Sequence, residues 1–192
     1  DWSDFNQDGK QDLILVGEWM SPKVFLNNGF ELVDRSEDFF RDDYTGWWNC
    51  LKLVDINNDG LKDLIAGNLG NNYKYKARHG KTFDVFADDF DGNNNLDIVL
   101  GYFEGDKQYP VRGKQCSSEQ IPGIKRKFNS YDAFASSDLA GIYGASNLEN
   151  ALHYRANQFN TMLFIREPKA GFRSLELPVE VQMSNINAIE TI

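Results

Sequence analysis

The sequence predicts a mainly β fold built from repeated sheet units, with a small helical insertion. Three observations carry that expectation. Three short acidic segments share one spacing of oxygen-bearing side chains. Each is followed at once by a short apolar run of strand character. A hairpin pattern ending in Gly-Phe then recurs downstream.

The acidic segments run from Asp4 to Asp12, from Asp55 to Asp63 and from Asp89 to Asp97. Each places an oxygen side chain at positions 1, 3, 5 and 9. These are Asp4, Asn6, Asp8 and Asp12; Asp55, Asn57, Asp59 and Asp63; and Asp89, Asp91, Asn93 and Asp97. Ca²⁺ is a hard cation that takes several oxygen ligands, and a tight turn delivers them from one segment. Position 6 (Gly9, Gly60, Asn94) sits where the turn needs a positive φ, which Gly adopts freely and Asn tolerates. Position 7 (Lys10, Leu61, Asn95) would contribute its backbone carbonyl, so its side chain is free to vary. The expected ligand set is these fifteen residues, and the expected cofactor is up to three structural Ca²⁺ ions.

An EF-hand is excluded. It needs a bidentate Glu at position 12 and flanking helices, whereas position 12 here is Leu15, Ala66 and Leu100. Asp, Asn and Gly also cluster in ordinary turns, but three copies in one register before a strand argue against that simpler reading.

Each acidic loop is expected to join two strands. The runs Leu13–Val16, Leu64–Ala66 and Ile98–Leu100 read as buried strands. Lys23 to Leu32 reads as a hairpin turning at Asn27-Asn28-Gly29, and Met162–Ile165 with Lys169–Leu175 repeats the pattern with a longer loop. The recurring unit is therefore loop, inner strand, outer hairpin ending in Gly-Phe. Loop starts at 4, 55 and 89 suit a supersecondary repeat, and propeller blades run to about 40–50 residues. The 192 residues then hold about four blades of a β-propeller, a partial or tightly closed ring, read as one domain over 1–192.

Residues 114–152 change character. Ser146 to Glu149 has the form of a capping box, and Ser117 to Gln120 offers another that Pro122 and Gly123 would cut short. Tyr131–Ala135 and Asp138–Tyr143 read as helical turns. This helical insertion is either a binding cap or a cover for a sheet edge.

The net charge is −9, and three Ca²⁺ ions would bring it to about −3. Such acidity argues against a nucleic-acid partner, which requires a basic face. The short cluster Lys125-Arg126-Lys127 reads as a solvated helix face. No run is long enough to span a membrane, and no signal peptide is seen. The chain reads as cut at both ends, with Ile186–Ile192 expected to form a strand leading to a further loop. Cys50 reads as a buried strand thiol, with a Cys50–Cys116 disulfide as the alternative in an exported protein. Loops of this kind suit millimolar extracellular calcium, which points to a secreted or cell-surface protein.

The chain resembles the FG-GAP/VCBS repeats of integrin-α-like β-propellers, and more narrowly the bacterial branch related to cartilage acidic protein. Besides the loops, the residues that carry the resemblance are Asp1-Trp2-Ser3-Asp4, Val16 to Met20, Thr45 to Asn49, Gly67 to Asn71, Tyr109-Pro110, Lys127 to Tyr131, Leu177-Pro178 and Gln182 to Ser184. The literal Phe-Gly…Gly-Ala-Pro signature is absent, so the match lies in the calcium-loop half of the repeat. The resemblance implies a calcium-stabilised, exported propeller and supplies no reaction.

Three functions follow as expectations. The first is non-enzymatic recognition of a protein or glycan, with Trp19, Trp47, Trp48 and Tyr73 as candidate stacking residues. The alternatives are a polysaccharide-active enzyme, using some of His79, His153, Arg112, Glu104 and Tyr109, and a purely structural segment. Two histidines without a nucleophile motif or zinc spacing favour the first. Self-association through open sheet edges is a further expectation.

Overall fold

The computed structural model describes residues 1–191, which form two compact units. Asp1–Lys74 and the chain from Ala156 onward make the first, and Tyr75–Arg155 make the second.

The first unit opens with β1 (Trp2–Ser3), the first acidic loop and β2 (Asp12–Leu15). It continues through β3 (Glu18–Met20), the hairpin β4 (Lys23–Asn27) and β5 (Leu32–Asp34), and α1 (Ser36–Phe39). β6 (Gly46–Trp47), β7 (Cys50–Val54), the second loop and β8 (Asp63–Gly67) follow. The second unit contributes β9 (Phe83–Asp88), the third loop, β10 (Asp97–Glu104), β11 (Lys107–Pro110) and β12 (Leu152–Ala156). Five helices lie between its last two strands: α2 (Lys114–Gln120), α3 (Gly123–Lys127), α4 (Tyr131–Ala135), α5 (Leu139–Tyr143) and α6 (Ala145–Asn150). The chain then returns to the first unit as β13 (Met162–Glu167) and β14 (Gly171–Glu176).

Three four-stranded antiparallel sheets result. In the first unit their orders are β1-β2-β4-β5 and β7-β8-β13-β14. Both follow one plan: the strand before the loop, the strand after it, then a hairpin. The second of these sheets is discontinuous in sequence, because the whole second unit intervenes between β8 and β13. Leu64 nevertheless pairs with Phe164. The second unit's sheet is ordered β11-β10-β9-β12, so its fourth strand adds on the other side, beside the strand that precedes the loop.

Burial follows the strand period. In β2, Ile14 is fully buried, Leu13 is half-buried and Leu15 is exposed. Ile14 joins Val24, Leu64, Ala66 and Phe164 in a core closed by Phe5, Phe40, Trp48 and Phe172. Phe164 meets Phe40 and Tyr44 edge-on at centroid distances of 5.3 and 5.0 Å. The second unit has its own core, in which Phe86 of β9 and Val99 of β10 pack with Ile121, Ile124, Phe128, Phe134, Leu139 and Ile142. The helical segment therefore covers a face of this sheet, where an edge cover or a free cap was the expectation.

Several local readings are corrected. Gly29-Phe30 lies in the β4–β5 turn with Phe30 99% exposed, whereas Phe172 is buried in β14, so the Gly-Phe repeat is not one structural unit. Ser146 lies inside α6, which starts at Ala145 without a side-chain cap. Ser117 lies within α2, buried, with its hydroxyl donating to the Arg112 carbonyl at 3.2 Å. The true caps are Ser130 and Asp138, which accept from the Ala133 and Gly141 amides. Residues 186–191 are irregular, and Ile192 lies outside the described residues, so no strand forms over the described part of that stretch. Neither cysteine is in a disulfide: Cys50 is half-buried and Cys116 is exposed.

Two of the resemblance-bearing segments pack together. Asn71 donates its amide to Gln182 O at 2.7 Å. Gly70 has φ +81°, and a Cβ there would lie 2.7 Å from Ser184 O. Asn68, fully buried, accepts from the Trp47 and Leu69 amides through Oδ1 and donates its own backbone amide to Thr161 Oγ1.

Candidate metal centres

All three acidic loops fold with one hydrogen-bond scheme. The position-1 carboxylate accepts from the amides of positions 5 and 6: Asp4 from Asp8 and Gly9, Asp55 from Asp59 and Gly60, and Asp89 from Asn93 and Asn94. The position-5 side chain accepts from the amide of position 7, at 2.9 Å for Asp8, 2.8 Å for Asp59 and 2.7 Å for Asn93. The position-9 carboxylate reaches back to the amide of position 2, which is Phe5, Ile56 or Phe90.

Backbone geometry explains the irregular third loop. Position 4 has a positive φ in all three, at Gln7 (63°), Asn58 (58°) and Gly92 (75°), and so does position 6, at Gly9 (84°), Gly60 (86°) and Asn94 (64°). The third loop keeps the same path and moves its glycine from the second left-handed position to the first. Sequence reasoning identified the need at position 6 and missed it at position 4. The displaced Gly92 was the available signal.

The position-9 residues are the buried end of each loop. Asp12 and Asp63 are 0% exposed and Asp97 is 4% exposed. Each heads the strand that follows. Asp12 also accepts from the Asn27 amide at the end of β4, and Asp63 from the Arg166 amide in β13, both at 2.8 Å. A buried carboxylate is tolerated only when its oxygens are engaged, and these bonds engage both oxygens of Asp12 and of Asp63. Asp12 and Asp63 thus fasten the first two loops to the neighbouring hairpins.

Loops one and two lie together in the first unit. Gln7 donates through Nε2 to Gly60 O at 2.9 Å. Arg166 donates its guanidinium to Phe5 O and lies over the Phe5 ring, 4.2 Å from the centroid. Burial lowers its pKa, against the opposing charges of Asp12 and Asp59.

The donors differ among the loops. In the third, one oxygen each of Asp89, Asp91 and Asp97 lies within 4.8 Å of the others, and among the described residues this is the one such group of three. Backbone amides, led by Asn94, hold the Asp89 carboxyl below the usual carboxylate range. In the first loop Lys10 Nζ sits 3.1 Å from Asp8 Oδ2 and is the main cause of a lowered Asp8 pKa. In the second, Asn57 Nδ2 donates to Asp59 Oδ2 at 2.8 Å. The side chains of Asp4, Asn6, Asp8 and Asp12, of Asp55, Asn57, Asp59 and Asp63, and of Asp89, Asp91, Asn93 and Asp97, with the carbonyls of Lys10, Leu61 and Asn95, offer only oxygen. That set fits a hard divalent cation.

The other candidates separate. Trp48 is core, with Nε1 donating to Tyr44 O. Trp47 is half-buried and packs on Trp19 at 5.1 Å, and Tyr73 is 41% exposed beside Phe159. His79 is exposed in the turn between Arg78 and Lys81, and Glu104 is exposed at the end of β10. His153 Nε2 lies 2.7 Å from Asp84 Oδ1 and its ring stacks on Phe86 at 4.2 Å. Buried Asp84, which sequence reasoning missed, also accepts from Thr82 Oγ1 and Gln108 Nε2. Arg112 and Tyr109 instead line a cavity beside β11, which none of His79, His153 and Glu104 joins.

A family model described as an FG-GAP-like repeat matches residues 4–66, the stretch holding the first two loops and strands β2, β4 and β5 of the first four-stranded sheet. The match supports the FG-GAP repeat family for that segment. Comparisons with curated proteins and with solved structures gave no match. No helix among the described residues is long and apolar enough to cross a membrane.

Proposed function

We propose that this chain is a calcium-stabilised repeat module of an exported or surface-displayed protein that serves recognition of a protein or glycan. The shared hydrogen-bond scheme of the three loops carries the calcium part: one backbone path, repeated three times, presents oxygen donors at positions 1, 3, 5, 7 and 9. The ion's role is structural, because each loop joins two strands of a sheet and its closing carboxylate already belongs to the fold. We read each four-stranded sheet as a blade of the propeller type, close to the branch related to cartilage acidic protein. Loops of modest affinity fit the calcium levels outside cells.

Thermal melting tests the metal. A ligand that binds only the folded state stabilises it by about 2.7 kcal/mol at a hundredfold excess over Kd. EGTA should lower Tm and millimolar Ca²⁺ should restore it, with titration calorimetry giving up to three sites. An unchanged Tm on chelation would sink the assignment. Edge strands such as β11 and β14 are the route for self-association. A single monomeric mass in light scattering at every concentration would count against that route.

A further inference from the structure

The second unit carries a built cavity that no acidic loop uses. About 340 Å³ in volume, it lies where the β10–β11 hairpin meets α2 and α4, and so falls in the range of small-molecule sites, about 300–1,000 Å³. Tyr102, Tyr109, Tyr131 and Phe134 give it aromatic walls, and Arg112 and Lys114 stand at it as cations. Tyr102 and Tyr109 are cross-strand partners with ring centroids 6.4 Å apart. Tyr131 is 66% exposed, and Lys114 Nζ lies 5.0 Å from its ring centroid.

A second cavity, also of about 340 Å³, shares Lys114 and Tyr131 with the first and adds Lys125, Gln115 and Ser118. The Ser118 hydroxyl is withdrawn from solvent and has no hydrogen-bond partner among the described residues. The two cavities adjoin at Lys114 and Tyr131, which line both, and together offer one groove; Glu119 is the carboxylate in its lining. Arg112 is held ready. Its Nη1 donates to Gln120 Oε1 at 2.6 Å, and Gln120 in turn donates to Ile98 O of β10. A guanidinium has five donors, so this leaves most of the fork facing outward.

Charge sets the sign of the ligand. The protein carries −9, yet among the residues lining the two cavities Arg112, Lys114 and Lys125 stand against one carboxylate, Glu119. A local excess of cations on an acidic protein selects an anion. Exposed tyrosine faces accept the apolar face of a sugar ring, and a guanidinium fork matches a carboxylate or sulfate group. Two adjoining cavities, with Arg112 and Lys114 at the first and Lys114 and Lys125 at the second, fit a chain whose charge repeats.

From this geometry we infer that the groove binds an anionic oligosaccharide, one bearing uronate or sulfate groups. The sugar rings stack on Tyr131 and on the Tyr102–Tyr109 pair, and Arg112, Lys114 and Lys125 pair with the acidic groups. This rests on the recognition role proposed above and names its ligand class.

Titration calorimetry on the whole chain at fixed millimolar Ca²⁺ tests it with four probes: tetragalacturonate, a heparin-derived tetrasaccharide, cellotetraose and a tetraglutamate peptide. At least one acidic sugar should bind, and cellotetraose at least tenfold more weakly. The stronger of the two acidic sugars shows whether carboxylate or sulfate is the natural group. Raising the salt should weaken binding. Arg112→Gln with Lys114→Gln should reduce affinity at least tenfold, and Tyr131→Ala should reduce it severalfold, both with Tm unchanged. Equal binding of cellotetraose, or binding that survives the double variant, overturns the proposal. Binding of the peptide in place of the sugars overturns it and leaves a recognition role standing. Absence of binding by all four overturns it without touching the calcium assignment, which the melting experiment reads separately.

Discussion

Asp63 accepts a hydrogen bond from the backbone amide of Arg166, a residue 103 positions further along the chain, at 2.8 Å. The other oxygen of the same carboxylate takes the Ile56 amide at 2.9 Å. One fully buried side chain therefore closes the second loop and joins β8 to β13. Replacing it with Ala leaves two amides without an acceptor, at about 1–3 kcal/mol for each. Asp63→Ala should lower stability in denaturant titration by several kcal/mol even with calcium absent, because this loss is independent of the metal. A variant that loses stability only in the presence of calcium would show that the residue acts as a ligand alone.

Arg166 is the second joint. Its amide serves the second loop, while its guanidinium serves the first through Phe5 O and the Phe5 ring. Arg166→Met keeps much of the apolar stem and removes the charge and the donors. It should cost about 1–3 kcal/mol, from the lost charged hydrogen bond and ring contact. Arg166→Lys should recover only part of this, since an ammonium lacks the planar fork. Full recovery by Lys would show that charge alone matters at this site.

The loops should differ in calcium affinity. Lys10 already places a cation on Asp8 in the first loop, and an incoming ion must displace it. Lys10→Ala should therefore tighten calcium binding at that loop, read as a lower Kd for one of the sites. In the third loop, Asp91→Asn removes one of three converging carboxylates and should weaken or abolish one site, reducing the calorimetric stoichiometry by up to one. An unchanged calcium isotherm for both variants would count against the ligand set.

Acid should destabilise the fold. Hydrogen bonds from Ser36, hydroxyl first and then amide, hold the Asp34 carboxyl below its usual value, and backbone amides do the same for Asp89. A lowered folded pKa means that the unfolded chain binds the proton more tightly. The stabilisation is then complete above the unfolded value of about 3.9 and is lost as pH falls through the folded values. Denaturation midpoints should hold steady near neutrality and fall below about pH 4. A constant midpoint down to pH 3 would contradict the assignment.

Much of this was legible in the residues because it is local. The spacing of Asp4, Asp55 and Asp89 with their partners announced the loops, and the short apolar runs after Asp12 and Asp63 announced the strands. Hidden features depended on distant contacts. Nothing near Asp63 in sequence points to Arg166, and nothing near Gly67 says that its sheet resumes at Met162. The burial of Phe172 against the exposure of Phe30 was likewise set by packing, although both follow a glycine. Ser146 had the form of a cap, yet the chain entered α6 one residue earlier. Asp84 escaped notice because its partners Thr82, Gln108 and His153 converge only once β9, β11 and β12 are in place.

The interrupted sheet has a bearing on how the chain acquires its structure. Leu64 meets Phe164 a hundred residues later, and closing so long a segment is entropically costly while it is disordered. The second unit has its own core and can gather through nearer contacts. Once it has done so, the span between β8 and β13 is shortened, and Asn71 and Asn160 are hydrogen-bonded at its root. The expected order of events is that the middle of the chain condenses early and the first unit's second sheet is completed late. Substitutions in the Phe86–Ile124 core should slow refolding, whereas those at Phe164 should mainly speed unfolding.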